Sequence, residues 1–232
     1  MNEMVFFMTI VDHRIGEKYA EIFRKHKVRI VLNTLGRGTA SDETLSYLGL
    51  GDSEKNVILS LLPSQKARIL MGDFIRKMNL DIPGNGIAFS VPVKSVCGRN
   101  FYNYAMSSGE DEKGGEKIIS KVKCELIVVV ANRGYVDQVM TAARSAKAGG
   151  GTSFHASGTG TAEAEKFFGV TLAEEKDIVF IVAESFKKAD IMKAITTQAG
   201  IQTEAGAIVF SLPICDVAGI RTLEEFLPED ET

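Results

Sequence analysis

Phe89-Ser90-Val91-Pro92 recurs as Phe210-Ser211-Leu212-Pro213, a shift of 121 residues, and Gly98 recurs as Gly219 at the same shift. Upstream, Glu54-Lys55-Asn56 returns as Glu175-Lys176-Asp177 at 121, and Gly38-Thr39-Ala40 returns as Gly160-Thr161-Ala162 at 122. The one-residue drift places a deletion in the loop between these two motifs, where chains tolerate length changes. A period this long belongs to a small domain rather than to a solenoid unit. The sequence therefore reads as two copies of one domain, over 1–101 and 118–223, joined by a linker over 102–117 and followed by an acidic tail over 224–232. The linker includes Ser107-Ser108-Gly109-Glu110-Asp111-Glu112-Lys113-Gly114-Gly115-Glu116, which is small, polar and glycine-bearing.

Each copy repeats one pattern of elements. An apolar run (Met4–Val11; Leu126–Ala131) leads into a helix-period segment with Tyr19, Ile22 and Phe23, or Val136, Val139, Met140 and Ala143, on one face. A strand-like stretch follows (Val28–Asn33; Thr152–Ala156), then a glycine-punctuated polar loop. A β-branched run without polar alternation comes next (Val57–Leu62; Ile178–Ala183), as in a strand buried on both faces. A second amphipathic helix carries Ala67, Leu70, Met71, Phe74 and Met78, or Ile191, Met192 and Ile195. A turn and a last strand close the copy (Ile87–Val93; Ala207–Ile214). The order βαββαβ predicts an α+β chain of two tandem ferredoxin-like domains, each a sheet with two helices on one face. The uncovered sheet face needs a partner, which oligomerisation or pairing of the copies would supply.

Composition narrows the function classes. With 45% hydrophobic and 25% charged residues, the 232-residue chain lies in the globular range. Lys and Arg number 27 against 30 Asp and Glu, a net charge of −3, so no overall basic field gathers nucleic acid. The longest apolar runs are far shorter than the roughly 20 residues of a membrane-spanning helix. Acidic Glu3 and the early Asp12-His13-Arg14 do not fit a secretory signal. Three cysteines, Cys97, Cys124 and Cys215, lack C-x-x-C spacing, which points to a reduced cytoplasm and to small apolar residues at least half-buried.

Catalytic motifs are absent from the sequence: no H-E-x-x-H, no G-x-S-x-G and no Walker loop occurs. Of the three histidines, His26 in Lys25-His26-Lys27 reads as a solvated residue at a helix end, and His13 as exposed. If Phe154 faces the core, strand alternation puts His155 on the opposite, oligomer face, open to a ligand or interface role or to a purely structural one. The informative features are glycines. Gly36-Arg37-Gly38 and Gly158-Thr159-Gly160 end the second strand of each copy, where backbone N–H groups can approach an anion without a Cβ in the way. Pro83-Gly84-Asn85-Gly86 precedes the last strand of copy one and suits a phosphate cradle, whereas copy two reads Glu204-Ala205-Gly206-Ala207.

Together these motifs resemble the PII nitrogen-regulatory signal-transduction family. Gly150-Gly151-Thr152 followed by Gly158-Thr159-Gly160 is similar to the family's G-x-T-x5-G-x-G, and Ile214 to Thr222 is in register with its run ending in R-x-R-T. Gly84 to Pro92 is in register with its G-D-G-K-I-F-V-F-P. The resemblance covers about 200 residues as two copies. It implies a non-enzymatic cytoplasmic regulator of nitrogen utilization without a cofactor, a homo-oligomer and normally a trimer, with ATP or ADP in clefts between adjacent units. It also implies a small-molecule effector, and a partner protein regulated through the loops 39–55 and 161–176.

Carried over to this sequence, the resemblance implies that Thr152 contacts adenine and that Gly36, Gly38, Gly158 and Gly160 lie near the phosphates. Gly84, Asn85 and Gly86 form the phosphate-cradling turn, and Arg221 is the second phosphate-facing arginine. The turn lysine of the family is Ile87 or Ile208 here, its first arginine is Gly98 or Gly219, and copy one has Asn100 in place of the second. Charge-assisted contacts of this kind contribute roughly 1.5–3 kcal/mol each. Their loss points to a nucleotide with fewer phosphates, such as ADP or AMP. Copy one keeps the glycine turn and copy two keeps Thr152 and Arg221, so one site could be assembled from unlike copies. The competing expectations are a ligand-free interaction module and, on the same scaffold, an enzyme.

Overall fold

The structure, a computed structural model, describes residues 3–39, 53–82, 84–107, 123–157 and 175–220. In chain order these form β1 (Met4–Asp12), α1 (Gly16–Lys25), β2 (Val31–Gly38), β3 (Ser53–Pro63), α2 (Ser64–Met78), β4 (Gly86–Pro92) and α3 (Arg99–Met106). They continue with β5 (Cys124–Asn132), α4 (Val136–Ser145), β6 (Thr152–Ser157), β7 (Glu175–Glu184), α5 (Lys188–Ala199), β8 (Ile208–Pro213) and β9 (Asp216–Ala218). Elements in the order βαββαβ run over β1–β4 and over β5–β8, in an α+β fold with antiparallel strand pairing.

Two compact units result, and neither is a contiguous stretch. The first takes described residues from Met1–Thr34, Asn56–Lys121 and Ile214–Thr232, and the second from Leu35–Lys55 and Val122–Pro213. The sequence places the linker over 102–117, yet 102–106 belong to α3, and 108–117 lie outside the described residues.

In the first unit the strand order is β3-β1-β4-β9, with the start of β2 beside β3. Its core packs Tyr19, Ile22 and Phe23 of α1 and Ala67, Leu70, Met71 and Phe74 of α2 against Val5, Phe7 and Val11 of β1. These are the helix faces expected from the 3.6-residue period. Aromatic rings meet at the centre, with Tyr19 and Phe74 centroids 4.8 Å apart and Phe23 and Phe74 5.6 Å apart. Offset and tilted ring pairs of this kind add about 0.5–1.5 kcal/mol beyond their buried area. Helix α2 ends at Asn79, whose left-handed backbone (φ 52°) lets the Leu80 N–H close onto the Phe74 carbonyl at 3.1 Å.

In the second unit the order is β8-β5-β7-β6, the split βαβ arrangement. Val139, Met140 and Ala143 of α4 and Ile191 and Ile195 of α5 cover Ile127, Val129, Val179 and Ile181, a core of aliphatic side chains. Phe154 and Phe180, whose rings meet edge-on at 4.8 Å, lie on the other sheet face, as do the exposed Ile208 and Phe210. This corrects the expected orientation of β6: His155 stands opposite Asp177 on the helix-covered side, and Phe154 points away from it. Cys124 is buried as expected, but Cys97 and Cys215 are exposed.

The two units echo each other in detail. Helix α1 ends with Lys27 at φ 53° and Val28 N–H on Phe23 O at 3.1 Å; α4 ends with Lys147 at φ 64° and Ala148 N–H on Ala143 O at 3.1 Å. Within the first unit, Gly98 and Gly219, which the 121-residue shift relates, both have φ +89°.

Candidate ligand-binding site

Local rules explain how the glycine turn of the first unit is made. The Asn85 amide donates to Asn79 O at 2.9 Å, and the Asn85 N–H donates to Ile82 O at 3.2 Å, folding the chain back toward β4. Gly84 (φ +91°) and Gly86 (φ +133°) occupy backbone regions that favour glycine. A Cβ on Gly86 would lie 2.5 Å from Ile10 O, whereas one on Gly84 would meet nothing within 4 Å among the described residues. The turn is therefore sterically closed on its β1 side and open at Gly84.

Against this turn lies the segment Ile214–Gly219. Strand β9 pairs with β4 (Ser90 opposite Asp216, Phe89 opposite Val217, Ala88 opposite Ala218), and the Cys215 N–H donates to Ser90 O at 2.9 Å. Asp216 is fixed further by Arg68, Nε to Oδ1 3.2 Å. The strand then delivers Gly219 onto the turn, where an added Cβ would sit 2.3 Å from Gly86 O and 3.0 Å from Leu80 O. Gly219, which stands where the resemblance has its first arginine, thus has no room for a side chain. Its identity is a packing requirement of this close approach. Arg221 lies outside the described residues, as do Gly158 and Gly160.

Gly36, Gly38 and Thr152 lie in the second unit. Gly38 stands opposite Thr152, and Arg37 opposite Ser153. Thr39 clamps the next position: its N–H donates to Gly151 O at 2.8 Å, its hydroxyl donates to the same carbonyl at 2.9 Å, and it accepts the Gly151 N–H at 2.9 Å. The Arg144 guanidinium donates to Thr39 O. The predicted site residues therefore fall into two groups, Gly84–Gly86 in one unit and Gly36, Gly38 and Thr152 in the other.

A polar cluster that sequence reasoning missed occupies one end of the second unit. Buried Asp177 accepts the Gly134 N–H at 2.9 Å through Oδ2 and pairs with His155 Nδ1 at 2.5 Å through Oδ1. Lys176 Nζ donates to Asn132 Oδ1 at 2.6 Å, and burial lowers its pKa. Asn132 donates in turn to Glu204 O at 2.9 Å, and Arg133 pairs with Glu175 at 2.5 Å. The signal available was the repeated Glu-Lys-Asn/Asp motif, whose Asp177 sits where copy one has Asn56. His26 is a second correction: it is half-buried and bonded to Asp73, not solvated. Among the described residues no group of three or more His, Cys, Asp or Glu could hold a metal ion, and no helix is long and apolar enough to cross a membrane.

Comparison with known proteins bears on the C-terminal part. The family model described as "Nitrogen regulatory protein P-II" matches residues 124–224. No curated protein matches the chain. Similar solved structures include an unknown protein from Galdieria sulphuraria, 9% identical over 93% of this chain and 100% of that one, with a TM-score of 0.27. They also include a chlorite dismutase variant from Candidatus Nitrospira defluvii, 10% identical over 91% of each chain, with a TM-score of 0.21. At such scores neither bears on fold or function. Residues 124–224, which include β5 to β9, are thus similar to that family.

Proposed function

We propose that this chain is a non-enzymatic, cytoplasmic signal-transduction protein of PII type, built of two copies of the PII-like domain. It binds a small effector, an adenine nucleotide with fewer phosphates than ATP, and regulates a partner protein of nitrogen metabolism as a homo-oligomer. The loops expected over 39–55 and 161–176, most of whose residues lie outside those described and whose ends 53–55 and 175–176 belong to β3 and β7, make the partner contacts. The observation that carries this reading is the family match over residues 124–224, a stretch whose Gly219 seats on the turn Gly84–Gly86. Arg221, two residues further along, supplies the cation for a phosphate, and the open side at Gly84 admits it.

Isothermal titration with ATP, ADP, AMP and cyclic AMP tests the reading. ADP or AMP should bind, and Arg221→Ala should weaken binding by about 10-fold or more, the effect of removing one charge-assisted contact. Asn85→Ala should weaken it less. Absence of binding by all four nucleotides would leave the chain as an interaction module with a PII-like frame.

A further inference from the structure

Among the described residues, the first unit receives an edge strand for which the second has no counterpart. Strand β9 covers the outer edge of β4, and under it Phe89 is 0% exposed. At the 121-residue shift the outer edge of β8 presents Val209, Phe210 and Ser211, which no strand covers among the described residues, and Phe210 is 43% exposed. The same shift maps β9 onto Ser95-Val96-Cys97, which lies outside any strand, with Ser95 and Cys97 exposed. Gly98, which follows it, holds the φ of +89° seen at Gly219, but only one heavy atom, Phe101 Cβ at 3.8 Å, comes within reach of an added Cβ. Among the described residues, one strand-adding segment and one uncovered acceptor edge are thus present in the same chain.

We propose that Ser95-Val96-Cys97 of one chain adds as an antiparallel strand to β8 of a second copy, with Ser95 opposite Ser211, Val96 opposite Phe210 and Cys97 opposite Val209. The occupant is chosen by the β4 to β9 pairing, which displays the register, chemistry and following glycine of the contact. Addition of a strand satisfies backbone groups along an open edge and places Val96 beside Phe210, as Val217 lies beside Phe89. Donor and acceptor are different surfaces, so the contact is head-to-tail and propagates until a ring closes. The inference rests on the two-copy reading but not on nucleotide binding, so the titrations above and the experiment below can fail independently.

Val209→Cys in the full chain places a thiol opposite Cys97 of the neighbour, within the Cα separation a disulfide requires. Mild oxidation should give covalent species of two or more chains on a non-reducing gel, and adding Cys97→Ser should abolish them. Val96→Pro removes a backbone donor from a segment that pairs with no strand among the described residues. It should leave the far-UV circular dichroism of the folded chain unchanged while light scattering shows the mass falling to that of a single chain. A wild-type chain that is monomeric, a disulfide confined to the mass of one chain, or assembly that Val96→Pro leaves intact would each overturn the proposal.

Discussion

His26 Nε2 lies 2.8 Å from Asp73 Oδ2, tying the C-terminal end of α1 to the middle of α2 across 47 residues of sequence. Lys77 at 2.5 Å and Arg76 at 3.2 Å complete the surroundings of this buried carboxylate. Burial pushes its pKa up, but the hydrogen bonds from Lys77, His26 and Arg76 prevail and hold it down at about 2, from an ordinary 3.8. A depression of this size corresponds to about 2 kcal/mol of stability. That contribution is fully present above the unfolded value of 3.8 and is lost as the pH falls through about 2. Asp73→Asn should therefore lower the unfolding free energy at neutral pH by about 2 kcal/mol, a deficit that shrinks in acid. Urea titrations at several pH values check this.

The glycine turn offers a paired comparison. Gly84→Ala meets open space and bears only the strain of its positive φ, about 1 kcal/mol. Gly86→Ala adds a collision with Ile10 O and Val11 Cγ1, and should cost about 3 kcal/mol. Thermal melting of the two variants should separate them by several degrees.

Asp177 and His155 are bonded to each other but differ in burial. The Asp177 side chain is 3% exposed and that of His155 67%. Asp177→Ala leaves the Gly134 N–H without its acceptor and should destabilise by about 2 kcal/mol. His155→Ala should change stability by no more than about 0.5 kcal/mol. Equal losses in the two denaturation curves would contradict this division.

Thr39→Val removes the hydroxyl that both donates to and accepts from Gly151. The expected loss is about 1–2 kcal/mol, with faster hydrogen exchange at the Gly151 amide.

What could be read in advance was what repeats locally. Tyr19, Ile22 and Phe23, or Val139, Met140 and Ala143, announce helix faces by spacing alone, and the recurrence of Phe-Ser-x-Pro aligns β4 with β8. What could not be read depends on residues far apart in sequence. His26 looks solvated between two lysines until Asp73 folds against it. Strand β9 is three residues long, too short for a period to show, and its place is fixed by β4. Helix α3 begins inside the expected copy-one boundary and crosses it; its Phe101, Tyr102 and Tyr104 are exposed, and only Ala105 is buried. Gly219 looks like the loss of an arginine in the sequence and is a contact requirement in the fold.

The placement of β9 on β4 also sets a timetable for synthesis. Residues 1–107 leave the ribosome first, but the strand that covers Phe89 and Ser90 is encoded at 216–218 and emerges last. At about 5–20 residues per second, that outer edge of the first unit stays bare for several seconds while the second unit is still being made. A chain terminated before residue 214 should therefore leave the edge of β4 bare, making early termination a source of aggregation.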